Sequence, residues 1–190
     1  AASDVYKRQA LFIADSLQLP KVQNASLYMG LGRIYLLLED FEASLNCYQQ
    51  TEKSFSDLSL NLQAYFLNNY GNYYYYTKDY QTSLKKFLML KKLLEKHDKR
   101  ETFSMYLCKL NLADVYLNLN QLDLSDKCLD EVEDYMRKNG DETAIYYCNT
   151  IRIGQAVKKK DWNTVARILA GEKSNDQLDF SLLQIRHQYL

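Results

Sequence analysis

A chain of 190 residues suffices for one domain with a substantial core and is short for two. Its 24 Lys and Arg balance its 24 Asp and Glu, so no net positive charge draws it to phosphate backbones or anionic lipid, and apolar residues nowhere run on for the roughly 18 that a spanning helix needs. Gly and Pro together are 7 of 190, about a third of ordinary usage, which argues for long helices over many tight turns; the compositional excess is Tyr, at 17.

In chain order, Asp4-Val5-Tyr6-Lys7-Arg8-Gln9 resembles the translation of a transposon end used in preparing sequencing libraries. Residues 1–9 are therefore set aside as an artefact, with the natural start expected elsewhere. Apolar periodicity then predicts helices at 10–18, 22–38, 41–56, 58–77, 80–97, 100–119, 122–138, 141–159, 161–171 and 176–190. Pro20 marks the first break. The joints Glu39-Asp40, Lys78-Asp79, Asn120-Gln121 and Lys160-Asp161 leave room only for antiparallel hairpins. In the last helix, Leu178, Leu182, Ile185 and Tyr189 line one face and Phe180, Leu183 and Leu190 a second. Such a helix expects two neighbours, supplied by further native chain, the preferred reading, or by a homodimer partner.

Three segments align without gaps: Tyr28 to Tyr35, Leu67 to Tyr74 and Lys109 to Tyr116. Each is followed by a large residue (Phe41, Tyr80, Leu122), a small one (Ser44, Ser83, Ser125) and another large one (Tyr48, Phe87, Leu129). A weaker fourth copy places Ile153 and Ala156 in its first helix and Trp162 at the second-helix aromatic. Gly inside a helix is unfavourable by about 1 kcal/mol relative to Ala, so Gly32 and Gly71, with Ala113 next in line, are read as points where two helix backbones approach closely. Tyr35, Tyr74 and Tyr116 then fill the space between successive helix pairs.

This pattern resembles the tetratricopeptide repeat, over about residues 22 to 171. Equivalent positions recur after 39, 42 and 40 residues, longer than the family's typical period of about 34. The resemblance implies an all-α fold, an α-solenoid of antiparallel helix hairpins wound into a right-handed superhelix. Its repeats would span about 22–57, 58–99, 100–140 and 141–174, as one domain over 10–190 with flanking helices 10–18 and 176–190.

Catalytic and metal chemistry is not suggested. Cys47, Cys108, Cys128 and Cys148 form no Cys-x-x-Cys pair and read as buried small apolar residues. They favour a reducing, cytoplasmic compartment, while a periplasmic one stays open because the natural start is missing. His97 and His187 stand in polar surroundings, and Gly30-x-Gly32 follows no strand, so no phosphate loop is formed. The expectation is a non-enzyme without cofactor or metal. Asp130, Glu131, Glu133 and Asp134 are read as spread around a solvated helix surface. Lys78 to Arg100 carries eight basic and three acidic residues, Asp123 to Glu142 the reverse, and these are read as solvated outer faces with pairs across neighbouring repeats, in preference to a docking patch.

In tetratricopeptide arrays the first helices line a concave groove. Carried over position by position, the family's contact register implies Ser26, Met29, Arg33, Leu36 and Leu37 in the first copy, and Tyr65, Asn68, Asn72, Tyr75 and Tyr76 in the second. It implies Leu107, Leu110, Asp114, Leu117 and Asn118 in the third, and Tyr147, Thr150, Gly154, Val157 and Lys158 in the fourth. Asn68 and Asn72 lie one turn apart, and a carboxamide both donates to and accepts from a peptide backbone. The polar readers are thus Arg33, Asn68, Asn72 and Asp114, with Tyr65, Tyr76 and Tyr147 as apolar platforms. The family's clamp for terminal carboxylates is disfavoured, since Asn68, Tyr147 and Ile151 stand where cations are required. The chain reads as a scaffold binding a protein or peptide, with no nucleic acid or membrane engaged through this segment. The alternative is the sensory or regulatory segment of a larger bacterial signalling protein, a histidine kinase, cyclase or transcriptional regulator whose effector domain is missing.

Overall fold

The computed structural model of the chain describes residues 21–97, 102–139 and 142–172, together with Gln9, Phe12 and Ser16. Among the described residues the protein is all-α, with eight α-helices and no strand. They are α1 (Lys21–Leu37), α2 (Phe41–Glu52), α3 (Leu60–Tyr76), α4 (Tyr80–His97), α5 (Phe103–Asn118), α6 (Leu122–Asn139), α7 (Glu142–Lys159) and α8 (Trp162–Glu172). Apart from Gln9, Phe12 and Ser16, all three helical, the segment 1–9 and the helices expected at 10–18 and 176–190 lie outside the described residues. So does the dimer contact assigned to the last helix.

The chain divides between Lys78 and Asp79 into two compact units. In the first, α1 packs on α2 and also meets α3, which packs on α2. In the second, α5 packs on α4 and α6 and also meets α7, which packs on α6 and α8.

The joints expected from sequence share one backbone device. Glu39, Lys78, Asn120 and Lys160 all adopt positive φ, between 57° and 63°. Each residue closes its helix in the left-handed region, where glycine is the usual occupant. At the first joint the Glu39 N–H donates to Leu36 O at 3.0 Å and the Asp40 N–H to Tyr35 O at 2.9 Å. The same two bonds recur at Asn120 and Gln121, and at Lys160 and Asp161. The residue after the left-handed one then begins the next helix. Asp40, Asp79 and Asp161 each accept, through Oδ1, the backbone N–H three residues on at 3.1 Å. One three-residue corner therefore ends a helix and caps its successor.

Two predicted boundaries move by three residues or more. The helix expected over 41–56 stops at Glu52, and a 3₁₀ turn, Phe55–Asp57, follows. Ser54, Ser56, Asp57 and Ser59 crowd this stretch, and such side chains favour turns over helix. Gln63 of α3 holds the turn, its Nε2 donating to Phe55 O at 3.1 Å and Leu58 O at 3.0 Å. Similarly, α5 starts at Phe103, after the 100 expected, because Thr102 caps it, its hydroxyl accepting from the Met105 N–H at 3.3 Å.

The cores occupy the repeat positions. Ser44, Ser83 and Ser125 are fully buried, as are Tyr48, Phe87 and Leu129. The Ser44 hydroxyl donates to Gly32 O at 2.8 Å and the Ser125 hydroxyl to Ala113 O at 2.6 Å, so each small residue's carbonyl is tied to the partner helix. Gly32 is buried, and the nearest atoms a Cβ there would meet are those of the Tyr48 ring, at 3.0–3.2 Å. The glycine makes room for an aromatic ring between paired helices. Trp162, at the second-helix aromatic position of the fourth copy, is 63% exposed. As the first residue of α8 its side chain leans back toward the helix start and away from the core, as does Phe41 at the start of α2, 37% exposed.

Candidate functional site

Of the seven side chains expected to read a ligand, Arg33 (α1), Tyr65, Asn68, Asn72 and Tyr76 (α3) fall in the first unit, and Asp114 (α5) and Tyr147 (α7) in the second. None belongs to the fully buried class: Tyr65 is exposed and the other six are half-buried. The register carried over from the family is corrected at Met29, Leu36, Leu110 and Leu117, which are buried. Met29 and Leu36 share a helix face with Ala25 and Gly32, at i, i+4, i+7 and i+11, and that face is taken up by packing.

In the first unit α3 is amphipathic by aromatic rings. Its inner face sends Phe66, Tyr70 and Tyr73 against Tyr48 of α2, with ring centroids at 6.4, 5.3 and 6.0 Å. Tyr74 joins this group, its hydroxyl bonded to that of Tyr70 at 3.1 Å. Burial pushes the Tyr48 and Tyr70 phenols well above their ordinary range, so both stay neutral. Tyr65 opposes ionisation of Tyr48 and Arg33 favours it, in each case through charge interaction. Arg33 of α1 and Tyr65 of α3 thus both act electrostatically on one buried ring of α2. Of the four asparagines on α3, Asn69 is buried and donates to Tyr65 O at 2.7 Å, within its own helix. Asn68 and Asn72 stay half-buried on the other side, one turn apart. Tyr75 and Tyr76 meet edge to face at 5.6 Å and also remain half-buried.

In the second unit Asp114 lies beside Asn118, whose Nδ2 donates to Asp114 O at 2.9 Å and to its Oδ1 at 3.3 Å. Tyr147 packs against the cluster that includes Tyr106, Leu129, Met136 and Ile151, so its ring is engaged in the core rather than standing as an open platform. Lys158 donates to Leu117 O at 2.6 Å, and a Cβ on Gly154 would meet the Leu117 side chain at 2.8 Å. α5 and α7 thus come together where the register had placed ligand contacts.

Sequence reasoning expected charge pairs across neighbouring repeats but did not place the cluster that forms between α6 and α7. Arg152 of α7 reaches Asp130 at 2.6 Å and Asp126 at 3.5 Å and bonds Glu133 through Nε, while Lys159 reaches Asp126 at 3.1 Å. Burial works to lower the Arg152 pKa, and the hydrogen bonds it donates to Glu133 and Asp130 overcome it, holding the guanidinium charged. Asp126, Asp130 and Glu133 thus share one cation, while Glu131 pairs with Lys109 and Asp134 with Lys138. The spacing of 126, 130 and 133 on one helix face was the available signal.

The thiols do not resemble activated nucleophiles. Burial, with Asp40 adding to it, pushes Cys47 up to about 11, and burial raises Cys108 and Cys148 to about 12 each. An activated thiol is shifted the other way. Among the described residues no group of three His, Cys, Asp or Glu is placed to hold a metal ion, and no helix is long and apolar enough to cross a membrane. Comparison with protein-family models and with curated proteins finds no match.

Proposed function

We propose that the chain is a tetratricopeptide-like α-solenoid that binds a protein or peptide through the surface of its first helices. Two regularities support the architecture. The left-handed corner returns at 39, 78, 120 and 160, with the same intervals as the sequence repeat. Alternate helices, α1 with α3 and α5 with α7, meet within their units, as stacked hairpins require.

The observation that carries the binding function is the division of labour on α3. Its buried side is filled by aromatic rings, while Asn68 and Asn72 remain half-buried beside the exposed Tyr65. Carboxamides one turn apart can satisfy the N–H and C=O of an extended segment, and neighbouring tyrosines supply rigid contact area.

The test uses a peptide selected from a displayed random library on the wild-type chain. Replacing Asn68 and Asn72 together by Ala is expected to weaken that peptide at least tenfold, roughly 1.4 kcal/mol, with little change in Tm. Loss of stability in step with loss of binding would assign both residues to packing and sink the proposal. So would selection that enriches no peptide.

A further inference from the structure

Two helices of the second unit carry opposite charge and treat it differently. α6 holds six acidic and three basic residues. Five of the six acids lie in ion pairs, drawing Lys109 from α5 and Arg152 and Lys159 from α7 as well as its own Arg137 and Lys138. Its charge is thereby matched within the fold. α4 holds five lysines and one acid, Glu95. Lys91 pairs with Glu95 at 3.8 Å, whereas Lys85, Lys92 and Lys96 make no ion pair among the described residues. The adjoining α5 offers a single acid, Asp114.

The position of those three lysines gives the charge a purpose. Ser83, Phe87 and Leu90 face the core. On the opposite side Lys85, Leu88, Met89, Lys92 and Lys96 fall at i, i+3, i+4, i+7 and i+11, within an arc of about 100°. All five are exposed, Leu88 at 41% and Met89 at 50%. Two adjacent apolar side chains are thus open to water with lysines one turn before and one turn after. An apolar centre with a charged rim is the anatomy of an interface. The rim has one sign, so the partner has the other.

We infer that the outer face of α4 docks an acidic amphipathic helix, whose apolar residues cover Leu88 and Met89 while its carboxylates meet Lys85, Lys92 and Lys96. This is helix-on-helix recognition, with the lysines setting orientation and speeding encounter. The apolar centre is two side chains wide, which suits a peptide anchor and is narrow for insertion into a bilayer. The surface belongs to a second-helix position and is independent of the asparagine face of α3.

The experiment measures fluorescence anisotropy of a labelled 18-residue peptide with a leucine face bordered by glutamates, and of a scrambled peptide of the same composition. The wild-type chain is expected to bind the amphipathic peptide at least tenfold more tightly than the scrambled one, with affinity falling as salt rises. Replacing Lys85, Lys92 and Lys96 together by Glu should weaken it at least thirtyfold. Leu88→Ser with Met89→Ser should weaken it at least fivefold at every salt concentration. Reversing Lys53, Lys127 and Lys160, the same change in net charge elsewhere, should leave binding within twofold. Circular dichroism of each variant establishes that it is folded. Equal affinity for the scrambled peptide, indifference to either α4 variant, equal loss in the control reversal, or a preference for phosphatidylserine vesicles over the peptide would each overturn the inference.

Discussion

The first unit places Gly32 against the ring of Tyr48, whereas the second places Ala113 in one cluster with Leu129 at the same repeat positions. The carbonyl of the small residue accepts a buried serine in both. What recurs is therefore the joint volume of the pair and the hydrogen bond beside it, more than either residue's identity. The surroundings diverge accordingly. Tyr48 is enclosed by the rings of Phe66, Tyr70 and Tyr73. The second unit surrounds Leu129 with a mixed cluster of aliphatic side chains and Tyr106, supported by polar ties, with Gln155 of α7 donating to the Ser125 hydroxyl at 2.8 Å and Arg152 meeting acids of α6.

The sharpest way to break this comparison is to empty the large position. Tyr48→Ala is expected to destabilise the first unit by about 3–5 kcal/mol and Leu129→Ala the second by about 2–5 kcal/mol, read from urea unfolding midpoints. Tyr48→Phe should stay within about 1 kcal/mol of wild type, because the buried hydroxyl makes no well-formed hydrogen bond among the described residues. A cost for Tyr48→Phe equal to that of Tyr48→Ala would show that the hydroxyl, not the ring, holds the unit.

Charge removal comes next. Arg152→Leu leaves Glu133, Asp130 and Asp126 facing one another without their shared cation, and a loss of about 1–2 kcal/mol is expected, since the cluster is only partly shielded from solvent. The deficit should shrink when the urea titration is repeated in 1 M salt. A salt-independent loss would mean that Arg152 acts by packing alone.

The coupling between small and large positions gives a sign test. Ala at position 32 gains about 1 kcal/mol of helix propensity but crowds a ring locked among three others, so Gly32→Ala alone is expected to destabilise by about 1 kcal/mol net. In a Tyr48→Leu background, which imitates the second unit, the same change should stabilise by about 1 kcal/mol. A double-mutant cycle of unfolding free energies measures this, and strict additivity would refute the volume pairing.

The smallest effect concerns the corners. Glu39→Gly and Lys160→Gly should each raise stability by up to about 1 kcal/mol by relieving a left-handed conformation unfavourable for a side chain. Asn120→Gly should gain less, because Asn tolerates that region. A fall in Tm for all three would indicate that unfolded-chain entropy outweighs the relief.

Much of this fold was legible because its signals are local. Asp40, Asp79 and Asp161 announce helix starts, and the interval between joints is readable by alignment alone. The left-handed corners were less so, because Glu, Lys and Asn occupy them where Gly would have advertised the conformation. The stop at Glu52 escaped because apolar periodicity continues through Phe55 while the serines around it prefer a turn. In the candidate site, Tyr65 is exposed while Asn68 and Asn72 are half-buried. Met29 and Leu36 are buried, because a small rotation of a helix about its axis turns a groove position into a core position without altering the sequence pattern.

The sequence by itself determined that the chain is helical, where most helices begin and end, and at what interval the pattern returns. Scarcity of Gly and Pro, 3.6-residue periodicity and capping side chains all act within a few residues of one another. Only tertiary structure decided that Gly32 makes room for a ring, that Arg152 gathers three carboxylates, and that the lysines of α4 are left facing water beside Leu88 and Met89. Those outcomes depend on which face each helix turns to its neighbour, and that orientation comes from filling a shared core, which no stretch of chain specifies alone.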